Sequence, residues 1–254
     1  ANDAEPLVIS NFVSHPSYLT SFTWASTDAP GALLWNSYVS PYMSSITAGT
    51  GQTIVNGTPM FVCANMFDFW RGDIIFDLKV ICSKFHRGRL RVSWDPVGDI
   101  ANTAISSTEV YTAIIDITET TNVSIRVPYT QRAAYLKTPA LISQTMYQVA
   151  SLATDSSDTI NGIFTVRVLN TQSSPVLTAD INVLVSVRGA ENLEFASPKE
   201  IDENIQFYTV QGSIENVEEV DFGGKSSTDD HINLVYMGEK VSNLRSLLMR
   251  CNYS

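Results

Sequence analysis

The sequence predicts an all-β chain, an eight-stranded antiparallel jelly-roll β-sandwich with short helices, and three observations carry that prediction. Apolar residues recur at every second position in segment after segment between residues 73 and 188, which is the period of a strand with one buried face. Helical periodicity is confined to two short stretches. Long connections rich in Ser, Thr, Asn and Gly separate the strand-like runs, a spacing that favours paired strands joined by crossings over a simple meander.

Upstream, residues 21–24 and 33–39 are two candidate strands, punctuated by Asp28, Pro30 and Gly31. Thr58-Pro59 followed by Met60, Phe61, Ala64, Met66 and Phe67 predicts a short helix with Thr58 as N-cap and Pro at its first position. Ile74, Phe76, Leu78, Val80 and Cys82 then alternate with Asp77, Lys79 and Ser83, and His86-Arg87-Gly88 makes a turn. Leu90, Val92 and Trp94 alternate with Arg89, Arg91 and Ser93 until Asp95-Pro96 stops the run, and the two runs together read as a hairpin. Further strands are predicted over 110–117, 123–127, 164–168 and 181–187, separated by loop chemistry over 151–162 and 170–175. Ser242 followed by Leu244, Leu247, Leu248 and Met249 predicts a second, C-terminal helix. No period of about 20 to 50 residues repeats, which disfavours a propeller or solenoid.

The composition agrees. The chain has 254 residues, 44% hydrophobic and 17% charged, with a net charge of −10, enough apolar matter for one sizeable core and unlike a disordered or collagen-like chain. No run approaches the roughly 18 uncharged apolar residues of a membrane span, and Ala1-Asn2-Asp3-Ala4-Glu5-Pro6 is unlike a signal peptide. Soluble behaviour is expected. The missing initiating Met fits either a trimmed chain or release from a precursor. Residues 191–230 hold 11 acidic residues against Lys199 and Lys225, the mark of a solvated acidic surface or strap rather than a cation site. Nothing forms the clustered basic face that grips a duplex. Cys63, Cys82 and Cys251 are odd in number and lack C-x-x-C spacing, so free thiols are expected, with Cys82 as a small core hydrophobe.

Each motif that suggests chemistry has a plainer reading. Arg71-Gly72-Asp73 matches an adhesion tripeptide but lies at a strand entrance, where Gly72 serves an unusual backbone angle or a close approach. Gly223-Gly224-Lys225-Ser226 lacks the earlier glycine of a phosphate loop, because position 219 is Glu. Asp229-Asp230-His231 reads as a solvated turn, with His15 and His86 distant in sequence. Asn56-Gly57-Thr58, Asn122-Val123-Ser124 and Asn252-Tyr253-Ser254 are formal glycosylation sequons, relevant only in a secretory lumen. Trp24, Trp35, Trp70 and Trp94 invite a sugar-stacking reading, although core packing is the better default for Trp94. No catalytic, cofactor-binding or metal-ligating residue is assigned, no cofactor is expected, and the chain is expected not to be an enzyme.

The order of four segments adds a resemblance. Phe69-Trp70-Arg71-Gly72-Asp73-Ile74 leads into a long strand, and His86-Arg87-Gly88-Arg89-Leu90 to Trp94-Asp95-Pro96 follows. Val127-Pro128-Tyr129 ends a strand, and Gly189-Ala190-Glu191-Asn192-Leu193-Glu194-Phe195 closes the series. This order closely resembles the major capsid proteins of picornavirus-like viruses, the order Picornavirales. Phe22-Thr23-Trp24, Leu34-Trp35-Asn36-Ser37-Tyr38 and the Gly238-Glu239 to Arg250 segment are similar to its dicistrovirus and marnavirus branch in particular. The likeness covers residues 20 to 250 or so, and by it 73–83 and 88–95 would be fourth and fifth strands, 108–118 and 122–129 sixth and seventh, and 160–170 and 180–188 eighth and ninth. That is one block more than eight, so one upstream candidate is expected not to be a core strand. Two features depart from the family: few residues precede the first strand, and the Asp-Asp-Phe associated with maturation cleavage is represented only by Val220-Asp221-Phe222 and Asp229-Asp230-His231. No cleavage role is assigned to either.

The resemblance implies a single capsid domain over 1–254, with an N-terminal arm over 1–20 and a C-terminal extension over 196–254. It implies a structural subunit of a small icosahedral positive-strand RNA virus shell, released from a polyprotein, assembled in the host cytoplasm and residing in the virion. Its partners would be the other capsid proteins of that shell, three related jelly-roll chains at about 60 copies each under closed point symmetry. Contact with the enclosed RNA would be weak, and the host receptor is unspecified. The acidic 191–230 stretch and the Leu244 to Met249 segment are the expected intersubunit contacts. The alternative is a carbohydrate-binding jelly-roll module.

Overall fold

A computed structural model describes residues 8–49, 52–97, 111–138, 146–150, 152, 158–174 and 180–199. A short helix, α1 (Ile9–Ser14), precedes β1 (Ser17–Trp24) and β2 (Leu33–Tyr38). A hairpin of β3 (Ser44–Gly49) and β4 (Gln52–Gly57) leads to α2 (Pro59–Asn65) and β5 (Phe67–Arg71). Then come β6 (Ile74–Ile81), β7 (Arg87–Asp95), β8 (Tyr111–Asp116) and β9 (Asn122–Val127). The short β10 (Leu136–Lys137) and β11 (Tyr147–Gln148) precede β12 (Ile163–Ser173), β13 (Ile181–Gly189) and β14 (Glu194–Pro198).

Two antiparallel sheets face each other. One has the order β1-β13-β6-β9 and the other β11-β2-β12-β7-β8. The pairs β1/β2, β6/β7, β8/β9 and β12/β13 are consecutive within this strand set, yet the members of each pair lie in opposite sheets. At each of these pairs the chain crosses the core, whereas β7 and β8 are hydrogen-bonded in one sheet, and this is the jelly roll. The hairpin expected of the 74–82 and 88–95 runs does not form, because β6 and β7 lie in opposite sheets. A small sheet, β10-β5-β14, flanks it.

Both upstream candidates are core strands, β1 and β2, so the expectation that one of them lies outside the sandwich is overturned. The strands at 74–81 and 87–95 are the third and fourth of the sandwich, not the fourth and fifth. The eight long strands of the facing sheets are β1, β2, β6, β7, β8, β9, β12 and β13, while the β3–β4 hairpin and β5, which the sequence reading did not identify, are hydrogen-bonded outside both.

The period-two reading holds over most of β6 and the first half of β7, while Ile75, Ser93 and Asp95 are buried on the other face as well. Ile74, Phe76, Leu78 and Val80 are buried while Lys79 and Ile81 are exposed, and Leu90, Val92 and Trp94 are buried opposite them. Phe76 from one sheet and Phe164 from the other stack at 4.3 Å and 10°, with Trp35 edge-on to both. Phe22 stacks on Trp35 at 6.1 Å, extending this aromatic centre across β1. Burial of a side chain of this size contributes about 1.5–3 kcal/mol.

Strand β2 breaks the alternation, with every residue from Leu34 to Tyr38 buried. The cause is a second layer. The Asn36 amide donates to the carbonyls of Gln148 (2.8 Å) and Ala150 (2.6 Å) and accepts from Leu152 N–H (2.9 Å), holding that segment across the outer face of the sheet. The α2 helix forms as its cap predicts, with Phe61 N–H donating to Thr58 Oγ1 at 3.2 Å and Pro59 at the first position, worth about 1 kcal/mol. Helix α1 lies on the core through Ile9 and Val13. The predicted C-terminal helix over 242–249 lies outside the described residues.

Candidate assembly surface

The topology gathers the short connections at one end. Strand pairings place Trp24 beside Ile181, Asn182 beside Ile81, Ser173 beside Arg87 and Arg89 beside Asp116. The strand ends that flank 25–32, 82–86, 117–121 and 174–180 therefore lie at that end, and those that flank 39–73, 96–110 and 128–162 lie at the other. This end, with the short connections, is the tip of the sandwich.

The tip is stiff. The His86 ring at Nδ1 accepts from Ser83 N–H at 3.1 Å and lies 2.8 Å from Ser83 Oγ, and His86 N–H donates to Ser83 O at 3.1 Å. Gly88 lets this turn pack on Trp24, because a Cβ there would lie 2.6 Å from the indole. Gln172 Nε2 donates to Trp24 O at 2.9 Å, tying β12 to the same place. In the next loop Arg89 and Asp116 pair at 2.8 Å, and this bond with the Thr118 N–H pulls the Asp116 carboxyl down to about 2. On this rigid base Phe85 projects 71% exposed, with Ile81 also uncovered. Exposed apolar side chains held by a fixed turn suit contact with a neighbour.

At the opposite end one polar node fixes the corner of the four-stranded sheet. Asp73 pairs with Arg126 at 2.7 Å and accepts from Tyr129 N–H at 2.9 Å, while its own N–H donates to Asn192 Oδ1 at 3.2 Å and its carbonyl accepts from Ala190 N–H at 3.0 Å. Burial opposes ionisation of Asp73, but the hydrogen bonds from Tyr129, Arg126 and Asn192 outweigh it and hold the carboxyl below its ordinary value. Gly72 has φ +131°, and a Cβ there would meet the Asn192 carbonyl oxygen at 2.5 Å. The reading of Arg71-Gly72-Asp73 as structural is thus correct, since its aspartate is consumed by this node. Asn161 forms a second node, accepting from Trp94 Nε1 at its carbonyl (2.9 Å) and donating to Pro128 O (2.9 Å).

Between the outer strands β8 and β9 the sheets part, leaving a cleft of about 240 Å³ lined by Val92, Trp94, Tyr111, Ile125, Val127 and Phe164, among others. Tyr111 stacks on Trp94 at its mouth, 5.2 Å apart.

The candidate residues singled out earlier are dispersed. Trp24, Trp35, Trp70 and Trp94 are all buried, so none offers a face to a sugar. His15 and His86 are far apart in the fold, and His86 is committed to its turn. Cys63 is fully buried, and that burial pushes its thiol up to about 12, where it stays protonated. Cys82 is half-buried against the core, and its thiol is raised for the same reason. Residues 223–226, 229–231 and 242–249 lie outside the described set, as does most of 191–230. The Asn36 and Asn161 nodes escaped the sequence reading. The one available signal was a polar residue inside the run Leu33-Leu34-Trp35-Asn36-Ser37-Tyr38-Val39.

The sheet order and the crossings between sheets define the fold as a jelly roll. The comparisons with known proteins agree. No family model matches the chain. Over 196 residues it is 31% identical to the structural polyprotein of Cricket paralysis virus, covering 75% of this chain and 22% of that polyprotein. The chain therefore spans about a fifth of the curated relative's length. Its fold is similar to that in a structure of a marine algae virus of the order Picornavirales, with a TM-score of 0.76, 25% identity, and 81% and 80% of the two chains covered. It is similar in fold also to a chain of Mud Crab Dicistrovirus, with a TM-score of 0.67, 19% identity, and 83% and 81% covered. The homologues of this chain are the structural polyproteins of dicistroviruses and other Picornavirales, and its structural neighbours include marine algal and dicistrovirus capsid chains.

Proposed function

We propose that this chain is a structural subunit of a small icosahedral positive-strand RNA virus capsid, released from a polyprotein and assembling with related jelly-roll chains to enclose the genome. The observation that carries this is the shared fold with the marine algal virus chain over four-fifths of both chains. The relationship to a viral structural polyprotein supports it. On this reading residues 1–254 are one capsid domain; the arm expected over 1–20 overlaps α1 and β1, which pack in the sandwich, and the extension expected from 196 begins within β14. The work of the chain is assembly rather than catalysis. Its rigid tip meets neighbours around a symmetry axis, and its side faces form obligate interfaces above about 2,000 Å² in total. Closed symmetry repeats each contact until the shell holds. The shell would hold three related chains at about 60 copies each under that symmetry, formed in the host cytoplasm, with RNA contacts from this acidic chain few.

Co-expression with its sibling chains tests the reading. Sedimentation and electron microscopy should show closed particles containing RNA. Removal of residues 236–254 should leave the sandwich folded while lowering particle yield. A solitary monodisperse monomer under assembly conditions, or measurable glycan affinity of the isolated chain, refutes it in favour of the carbohydrate-binding alternative.

A further inference from the structure

The outer face of the five-stranded sheet carries a cationic stripe that the assembly reading does not use. On β7 the outward positions at its first half are Arg87, Arg89 and Arg91, and the register sets Arg167 of β12 directly opposite Arg91. Like charges facing each other across a ladder are unfavourable. Asp116 pairs with Arg89, and Glu119 lies near the same guanidinium. Arg167 donates to Gly31 O at 3.1 Å. Arg91 differs: its Nε is buried and, among the described residues, has no acceptor. The residue as a whole is half-buried, so an acceptor can approach the guanidinium from outside the sheet, and charged donors are normally satisfied. On the other side of Arg91 the register places Ile114, 62% exposed on an outer strand. The rung therefore offers positive charge flanked by uncovered apolar surface.

The chain itself carries the complementary chemistry. Residues 200–230 contain nine acidic residues against one lysine, and within them Glu215, Glu218, Glu219 and Asp221 interleave with Val217, Val220 and Phe222. Carboxylates for Arg91 and apolar side chains for Ile114 are thus supplied together. The described chain ends at Lys199, whose N–H donates to Met66 O at 2.9 Å. From there an extended chain to residue 215 reaches about 50 Å, against a radius of gyration of about 18 Å for a domain of this length. Reach is not limiting, and a tethered segment acts at a high effective concentration.

We infer that residues 200–230 dock in cis on the Arg91–Arg167–Ile114 rung of their own sandwich, satisfying Arg91 with a carboxylate. This contact lies within one chain and does not depend on the assembly reading. It places on its own chain a segment expected from sequence to bridge subunits, and it leaves Leu244 to Met249 for a neighbour.

The test uses the full chain with Ile114 replaced by photoreactive benzoylphenylalanine, irradiated and mapped by mass spectrometry. Adducts to residues 210–222 in a product of monomer mass are expected. Their yield should fall at least about threefold in 0.5 M salt, as screening of exposed charge requires, and comparably in the Glu215→Gln/Glu218→Gln/Glu219→Gln variant, whose changes lie outside the sandwich. Arg91→Gln, with its folding checked by near-ultraviolet circular dichroism, should lower the yield in the same way. Adducts to another segment, adducts only at dimer mass, adducts to added RNA oligonucleotide in place of the segment, or a yield indifferent to all three changes would each overturn the inference.

Discussion

Phe76 and Phe164 belong to different sheets, are fully buried and stack 4.3 Å apart, so a double-mutant cycle on this pair reads whether the sheets face each other. Either Phe→Ala change removes a buried aromatic side chain and leaves a cavity, costing about 3–5 kcal/mol. The stacking adds about 0.5–1.5 kcal/mol beyond area, and this share is lost once, whichever partner is removed first. The double variant should therefore be less destabilised than the sum of the two singles by about 0.5–1.5 kcal/mol. At about 2–4 °C per kcal/mol for a chain of this size, each single change lowers Tm by roughly 6–20 °C. Urea unfolding of the full chain and both singles and the double, with m-values compared, gives the four free energies. Strict additivity, or a single-variant cost below about 1 kcal/mol, would refute the facing-sheet core.

Gly162 has φ +83°, and a Cβ there would lie 2.0 Å from the Asp95 carbonyl oxygen. Gly162→Ala should therefore destabilise by more than the roughly 1–2 kcal/mol of left-handed strain alone, as measured by denaturant unfolding, whereas Gly31→Ala, which has φ +87° but open space, should show the strain alone. Asp73 and Asp116 are both held below the ordinary carboxylate value in the folded state, so the stability they supply is present above about pH 4 and is lost as pH falls through their folded values, for Asp116 about 2. Unfolding curves between those pH values should be steeper for the parent chain than for Asp73→Asn or Asp116→Asn, and equal slopes would contradict the pairing. Cys63 should resist a thiol reagent in the folded chain and react on unfolding, while Cys82 reacts earlier, as peptide mapping of the labelled protein will show.

What the sequence determined by itself was the set of local choices. Alternation of Ile74, Phe76, Leu78 and Val80 against Asp77 and Lys79 dictates which face is buried, because side chains on a strand point alternately to its two sides. Thr58-Pro59 sets a helix start for the same local reason, a side-chain oxygen satisfying a free N–H. Gly72 announced a close approach, though not to what. Only the tertiary structure decided which strands share a sheet and which lie across the core, since pairing partners such as Trp24 and Ile181 are far apart in sequence and alternation carries no label for a partner. It also decided that β2 is covered on both faces, that β5 belongs to a separate small sheet, and that Asp73 is spent on Arg126. These outcomes depend on long-range hydrogen bonds and ion pairs, whose partners are brought together only when the two sheets close.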